Sequence, residues 1–288
     1  MKQSLFFHPM SRQKNLFSLG LLYLTVYACL AILAFKVYTH SYKSITLNTR
    51  IAAAMNMEGS IDLALAELMQ KLSFSLYNGA SDRGETHRLL VSKAKEEKKA
   101  SRQYALLFFT ISIVWLTAHY FLSKKREDPD RFWRHVLLIS ALCLLVGLVA
   151  PMMQMTAHKE LPVLGDVVFK YEAKSIYSTV KSLFAHGSLI IAGLIVVFSI
   201  LTPLLKMAVV AMDLFKVAPS LHKKAHELIH LLGKWSMADV FVVAILISIF
   251  ALDTQNFTRA ETDLGVYFFA AYCLLSLLVT HAVLKETA

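Results

Sequence analysis

The sequence is poor in charged residues, in glycine and proline, and in cysteine. Charged residues are 17% of its 288 residues and hydrophobic residues 56%, whereas a soluble domain averages about 25% and about 45–50%. Ten glycines and six prolines exclude collagen-like and low-complexity chains. The cysteines Cys29, Cys143 and Cys273 form no CxxC pair, which excludes a zinc ribbon or a disulfide framework. A soluble enzyme is therefore not expected.

The remaining charge is strongly unbalanced. The sequence has thirty lysines and arginines but only twenty aspartates and glutamates, which gives a formal net charge of +10. In a membrane protein such an excess reflects cytoplasmic loops and anionic lipid head groups. The expected partner of the positive charge is therefore the membrane surface, not nucleic acid.

Six apolar segments approach the length of about 20 residues that a helix needs to cross a bilayer. They are Leu16–Tyr38, Tyr104–Leu122, Val136–Met155, Ser188–Met212, Met237–Leu252 and Leu264–Leu284. The first is longer than the apolar core of about 7–15 residues in a signal peptide, and this favours an uncleaved anchor. The sequence predicts an all-α integral membrane protein with about six transmembrane helices.

Basic residues crowd the connections that follow the second and the fourth segment. They are Lys124, Lys125, Arg126, Arg131 and Arg134, and then Lys216, Lys223, Lys224 and Lys234. Because cytoplasmic loops are enriched in lysine and arginine, both connections and both termini are predicted to be cytoplasmic. Residues 39–103 and 156–187 then face outward.

The two outward segments differ in pattern. Residues 50–103 have helical periodicity, with turn signals at Asn78-Gly79 and Asp82-Arg83-Gly84 that predict a helical hairpin. Its charged second arm is either a solvated helix or a docking arm for a partner. Residues 156–180 are rich in β-prone side chains and predict a short strand or hairpin that leads into a helix.

Lys206 is the clearest candidate for a functional residue, because a charge inside an apolar segment is costly. Ser199 lies two helical turns earlier on the same predicted face. Pro203, between them, frees a backbone carbonyl that needs another donor in hydrocarbon, and Thr202 is one candidate.

The last two segments carry possible partners for Lys206. Asp239 lies three residues into the fifth segment, at a similar depth, and is the natural counter-charge. Ser236 shares its helix face, and Ser276 of the sixth segment could approach the same layer. The residues alone leave open a structural clamp, a proton relay, or a lysine that extends its ammonium group to the interface.

One motif points to a different chemistry. His226, Glu227 and His230 form an HExxH, the pattern of zinc proteases. They lie on a stretch, Ser220–Leu232, whose apolar residues follow one helix face and whose charged residues follow the other. This favours an amphipathic helix on the cytoplasmic surface, so no metal site is predicted and proteolysis is a minor alternative.

Three strings resemble the paraquat-inducible protein A family. LGKWSMADVFVVAILI at 232–247, which includes Gly233, Lys234 and Trp235, looks like the family signature. FSILTPLLKM at 198–207 resembles its Pro-Leu-Leu-Lys helix, and YEAKSIYSTVKSLF at 171–184 resembles the segment that enters that helix. The resemblance extends over roughly 135–284.

The resemblance implies a fold and a setting. Residues 135–288 would form a tetraspanin-like four-helix module with a small extracytoplasmic β element. Residues 1–134, which match nothing in the family, would supply an anchor helix, a helical hairpin and a second transmembrane helix. The family's polar network would fall on Ser199, Lys206, Ser236 and Asp239, with Ser276 where a threonine is expected. Typical members have two modules and zinc ribbons, whereas this sequence shows one module and no ribbons. Either a second copy restores the pair, or the chain is a divergent member with a different partner.

The function implied is that of a non-enzymatic inner-membrane component in Gram-negative bacteria. It would work without a cofactor, with an MCE-domain protein as partner, to move phospholipids between membranes, coupled to protons through the polar network. The alternative is a membrane scaffold or envelope-stress protein that uses the same bundle, and residues 39–103, as a docking platform.

Overall fold

The computed structural model describes residues 10–54, 81–126, 129–161, 165–216 and 258–286. The helices are α1 (Met10–Ala54), α2 (Ser81–Arg126), α3 (Pro129–Val149), α4 (Ile176–Ala185), α5 (Leu189–Ile195), α6 (Thr202–Leu214) and α7 (Leu264–Glu286). A π-helical segment (Val196–Leu201) joins α5 to α6, and the strands are β1 (Met153–Leu161), β2 (Gly165–Lys174) and β3 (Thr258–Thr262). The predicted helical membrane fold with a small β element is confirmed.

Five apolar helical stretches in the described part of the chain are long enough to cross a membrane. They are Gly20–Ala53, Arg88–Lys124, Asp130–Val149, Leu189–Leu214 and Leu264–Val283. They correspond to five of the six predicted segments. The remaining one, Met237–Leu252, lies outside the described residues.

The predicted end of the third segment is wrong. The helix was expected to reach Met155, but α3 ends at Val149, and β1 begins at Met153. Pro151 explains the early end, because it lacks a backbone N–H and disfavours helical geometry in the residue before it. The bundle therefore passes directly into the sheet.

Helices α1 and α2 form a long antiparallel pair. At about 1.5 Å per residue, the 45 residues of α1 far exceed a hydrocarbon core of about 30 Å, so the pair extends beyond it. Small side chains allow the close approach: the Ser41 and Ser101 hydroxyl oxygens are 2.6 Å apart, and Ser44 donates to the carbonyl of Ala94 at 3.1 Å.

This pair modifies two predictions for residues 50–103. The charged arm is helical as predicted, but one face packs against α1 and is not solvated; Ala94 and Ser101 are buried there. The turn signal at Asp82-Arg83-Gly84 lies inside the first turns of α2. The signal at Asn78-Gly79 lies outside the described residues.

The sheet has the strand order β2-β1-β3, with both pairs antiparallel. The β1–β2 hairpin confirms the strand prediction for residues 156–180. The sequence analysis did not predict strand β3, because its sequence TRAET has the polar character of a connection. In the structure β3 pairs with β1, and Met153 lies opposite Thr262. We call this side of the molecule the sheet end.

Helices α3 and α7 form the centre of the bundle and run antiparallel. A Cβ atom on Gly147 would lie 2.9 Å from the backbone of Phe269, so the two helices are in backbone contact there. Farther from the sheet than this contact, α3, α6 and α7 share a group of buried residues. We call it the basic-end cluster: Val136, Leu137, Val209, Val210, Leu214, Val279 and Val283. At this basic end Lys216 Nζ lies 3.2 Å from Asp130 Oδ2.

Tyr171 ties the sheet to α1 and gives a pH-dependent prediction. Burial raises its pKa to about 12, although a hydrogen bond from Asn48, at 3.5 Å, lowers it slightly. An unfolded tyrosine ionises near pH 10, so the folded state loses stability as the pH rises from about 10 to about 12. We expect Tyr171→Phe to have a shallower alkaline loss of thermal stability in detergent, and parallel curves for the two proteins would contradict this.

Candidate functional site

Lys206 is buried within α6, and only 3% of it is exposed. It lies eight residues before Leu214, the last residue of α6, or about 12 Å from that end at 1.5 Å per residue. Its neighbours along the helix are apolar, as the sequence TPLLKMAVVAMDL shows. Within the described part of the chain, Lys206 and Asp263 are the buried residues with a formal charge at pH 7.

The basic-end cluster shows which residues lie at the level of Lys206. Lys206 precedes Val209 and Val210 of the cluster by one helical turn, towards the sheet end. On α7, Ser276 precedes Val279 by three residues, also towards the sheet end. The structure therefore brings Lys206 and Ser276 to one level of the bundle.

Ser140 of α3 belongs to the same level. It follows Leu137 by three residues, and because α3 runs the opposite way, this displacement is again towards the sheet end. The contact between Gly147 and Phe269 gives the same register, since Ser140 and Ser276 are each seven residues from it on antiparallel helices. We call Lys206, Ser140 and Ser276 the polar layer.

The polar layer combines one amine with two hydroxyl groups in an apolar surrounding. Ser140 is fully buried, and its hydroxyl has no hydrogen-bond partner within the described part of the chain. One turn further on α7, the hydroxyl of Thr280 donates to the carbonyl of Ser276 at 2.7 Å. An unpaired hydroxyl is costly in such a place, so Ser140 is available for a hydrogen bond with a water molecule.

Ser199 lies apart from this layer. It is in the π-helical segment and half-buried, and it precedes Lys206 by seven residues, or by about 10 Å along the helix axis. The sequence prediction placed both on one face by assuming a continuous α-helix. The wider π turn changes that spacing, so the shared face does not follow.

The π-helical segment has a clear local cause. The carbonyl of Val197 accepts from the backbone N–H of Thr202 and, at 2.8 Å, from its hydroxyl. Pro203 follows and offers no N–H to the preceding turn. The Thr202 hydroxyl therefore bonds to the Val197 carbonyl and not to the carbonyl that Pro203 leaves without a backbone donor. Segments of π-helix are frequent at functional sites.

Several predicted site residues lie outside the described residues. They are Ser236, Asp239, the signature residues Gly233, Lys234 and Trp235, and the HExxH residues His226, Glu227 and His230. Their roles stay predictions. In the part of the chain that the structure describes, no group of three histidine, cysteine, aspartate or glutamate residues could hold a metal ion.

A second group of polar residues connects α2 to the sheet. Lys98 Nζ lies 3.2 Å from both Gln154 Oε1 and Glu261 Oε2. The amide of Gln154 donates to Asp263, whose other oxygen accepts from the backbone N–H of Leu264 at 2.8 Å. This sheet-end network joins the N-terminal helix pair, the sheet and the start of α7.

A third group lies near the basic end, where two histidines are in contact. The rings of His119 and His135 are 4.0 Å apart, and the Tyr27 hydroxyl lies 2.6 Å from His135 Nδ1. Both histidines are buried, although they flank the basic connection between α2 and α3. They join α1 and α2 to α3 and so fasten the helix pair to the rest of the bundle.

Sequence reasoning missed Ser140, the sheet-end network and the histidine pair. A serine inside an apolar segment was the available signal for Ser140, but serine is common in transmembrane helices. Only the register with α7 distinguishes it from other serines. Lys98 and Gln154 are 56 residues apart, so no local pattern connects them.

A comparison with family models finds a match in the second half of the chain. A model described as paraquat-inducible protein A matches residues 133–287, which is just over half of the chain. The match begins at α3 and includes the sheet, the polar layer and α7. Neither a curated protein nor a solved structure matches the chain.

Proposed function

Because the chain belongs to the paraquat-inducible protein A family, we propose that it is the membrane component of a system that moves phospholipids between bacterial membranes. In this proposal it is not an enzyme and needs no cofactor. Its partner is an MCE-domain protein, which the family resemblance implies. The residues of the zinc-protease alternative, His226, Glu227 and His230, lie outside the described residues.

The observation that carries the proposal is the buried Lys206. A charged side chain deep in a bilayer costs about 2.5–3.5 kcal/mol even by the lowest scales, and a helix that only spans the membrane has no use for one. Hydroxyl groups at its level, Ser140 and Ser276, add polar atoms in the same place. Such groups in membrane proteins mark pathways for ions, protons or substrates.

The proposed chemistry is a proton exchange at Lys206 Nζ. A carboxylate or a water molecule can take a proton from the ammonium group and return it, and Asp239 is the carboxylate that the resemblance assigns to this role. The hydroxyl of Ser140 can accept or donate a hydrogen bond to such a water. Protonation and deprotonation would then change the charge inside the bundle and so favour different packings of α6 against α3 and α7.

The α1–α2 pair supports a docking role for the N-terminal half. Both helices extend beyond the hydrocarbon core at the sheet end, where α1 contacts β2 and α2 bonds to β1 and β3. We propose that this end faces outward, with both termini in the cytoplasm and the protein in the inner membrane. The pair then stands where a partner that bridges two membranes would attach.

The same helix pair is also the observation that favours a scaffold. A protein that only holds partners together would need the extended arms but not a charge in the bundle. The two functions therefore differ in what they require of Lys206. In either case we propose that the chain pairs with a second copy of itself.

The proposal is tested by extracting the tagged full-length protein in mild detergent and identifying the proteins and lipids that accompany it by mass spectrometry. We expect an MCE-domain protein and phospholipids enriched over their share in the membrane. A well-folded preparation that carries neither would contradict the transport function and favour the scaffold. An unrelated multi-pass protein of similar size, extracted in parallel, controls for lipids that any membrane protein retains.

A further inference from the structure

A groove lies between α2 and α7 at the sheet end, where the helix pair meets the family module. Its volume is about 450 Å³, within the usual range for small-molecule sites. Its polar residues are Arg102, Thr262 and Asp263, and its apolar residues are Ala105, Leu106, Phe109, Leu264 and Tyr267. We call it the interface groove.

The groove lies at the depth of lipid head groups. Arg102 is one turn below Lys98, which bonds to the sheet, and the apolar part of α2 begins just after it. From Arg102 to Lys124, at the other end of the spanning helix, the distance is about 33 Å at 1.5 Å per residue. This matches a hydrocarbon core of about 30 Å, so the guanidinium group of Arg102 lies near one row of phosphates.

The charged groups of the groove favour an anionic ligand atom beside Arg102. Asp263 already uses both oxygens, one for the amide of Gln154 and one for the backbone N–H of Leu264. Arg102 makes no ion pair or hydrogen bond within the described part of the chain. A guanidinium group binds phosphate through two parallel hydrogen bonds, and this one is exposed.

The rest of the groove suits a hydrocarbon chain. Phe109 is seven residues from Arg102 on α2, about 10 Å deeper in the membrane, and Leu106 lies between them on the same side. Tyr267 lines the opposite wall from α7. We propose that the interface groove binds a glycerophospholipid, with its phosphate on Arg102 and the first part of one acyl chain along Leu106, Phe109 and Tyr267.

This inference rests on the proposed function, for which it supplies a lipid-loading site in the outward leaflet. The site joins the family module to the N-terminal pair, so it depends on both halves of this chain. Its test needs neither the partner nor transport. A failed transport assay would therefore leave the result on binding intact, and the reverse is also true.

The test is photolabelling of the full-length protein in vesicles of phosphatidylethanolamine and phosphatidylglycerol that contain a phospholipid with a diazirine on its acyl chain. Leu106 and Leu107 are a matched pair, because both are exposed, at 66% and 50%, and only Leu106 lines the groove. We expect severalfold more labelling at Leu106 and Tyr267 than at Leu107. Equal labelling would mean ordinary lipid contact and would overturn the proposal.

Variants of the basic residues test the role of the phosphate. Arg102→Gln should bring labelling at Leu106 down to that at Leu107, and Arg102→Lys should keep part of the difference. Lys99→Gln removes an exposed charge from the same helix but outside the groove, and it should change nothing. An unchanged ratio in a folded Arg102→Gln protein, checked by its thermal unfolding, would also overturn the proposal.

Discussion

Replacing Lys206 by methionine is expected to abolish phospholipid transport while the protein remains folded and bound to its partner. Methionine fills a similar unbranched volume, so the substitution removes the charge and little else. A residue that transfers a proton contributes about a hundredfold or more to a rate, and we expect a loss of at least this size. The measurement is transfer of labelled phospholipid by the protein reconstituted with its MCE-domain partner.

Thermal unfolding of the same variant separates a proton relay from a structural clamp. A relay exchanges protons with water, so the carboxylate that remains can take up a proton and become neutral, and the stability should change little. If Lys206 only neutralises a buried carboxylate, its loss leaves that carboxylate unpaired and lowers the free energy of unfolding by about 3–5 kcal/mol. A variant that is strongly destabilised would therefore identify the clamp.

The matched control for this variant is Lys216→Met. Lys216 lies just beyond the same helix, with 73% of its side chain exposed, and pairs with Asp130 at 3.2 Å. Exposed pairs of this kind contribute about 0–1 kcal/mol, so both transport and stability should stay close to those of the original protein. Full transport by Lys206→Met would contradict the relay and favour the scaffold.

The second large effect is expected for Gly265→Ala, which should destabilise the junction between α7 and the sheet. A Cβ atom there would lie 2.6 Å from the carbonyl oxygen of Ala150 and 2.7 Å from that of Pro151. The backbone N–H of Gly265 also donates to the Pro151 oxygen at 2.9 Å, and this hydrogen bond holds the two backbone segments close together. Backbone oxygens have no rotamer by which to move away, and α7 itself must shift.

That shift would affect the sheet-end network, because Asp263 and Leu264 precede Gly265 directly. Overpacking of this kind costs about 1–3 kcal/mol, and the contact with two oxygens places Gly265→Ala at the upper end. The measurement is the midpoint of thermal unfolding in detergent.

The matched control for Gly265→Ala is Gly193→Ala in α5. No atom lies within 4 Å of the position a Cβ would take there. Because alanine favours a helix by about 0.5–1 kcal/mol over glycine, this variant should be neutral or slightly more stable. Equal midpoints for the two variants would contradict the proposed backbone contact.

Parts of the site could be predicted from the sequence because their signal is local. The charge of Lys206 contrasts with the apolar residues on either side of it, and the cost of that charge in hydrocarbon holds for any arrangement of the helices. Pro203 marks a turn with a freed carbonyl for the same reason. The structure adds that Thr202 bonds to Val197 and that the turn is π-helical.

Other parts depend on contacts between residues that are far apart in the chain. Strand β3 has the polar sequence of a loop and becomes a strand because β1 offers its free edge. Ser199 was placed on the same helix face as Lys206 by α-helical counting, and the π turn, which has a local cause, changes that spacing. The early end of α3 combines a local cause, Pro151, with the pairing of Met153 in the sheet.

The sequence by itself determined the membrane class, five of the spanning segments now described, the β hairpin, the family and the position of Lys206 inside an apolar helix. These follow from hydropathy, spacing and short strings, which are properties of neighbouring residues. The tertiary structure decided that Ser140 lies at the level of Ser276 and that Lys98 bonds to Gln154. The reason is physical, since the packing of Gly147 on Phe269 fixes the register of α3 and α7. The residues that neighbour each other in the sequence do not show how two distant helices are aligned.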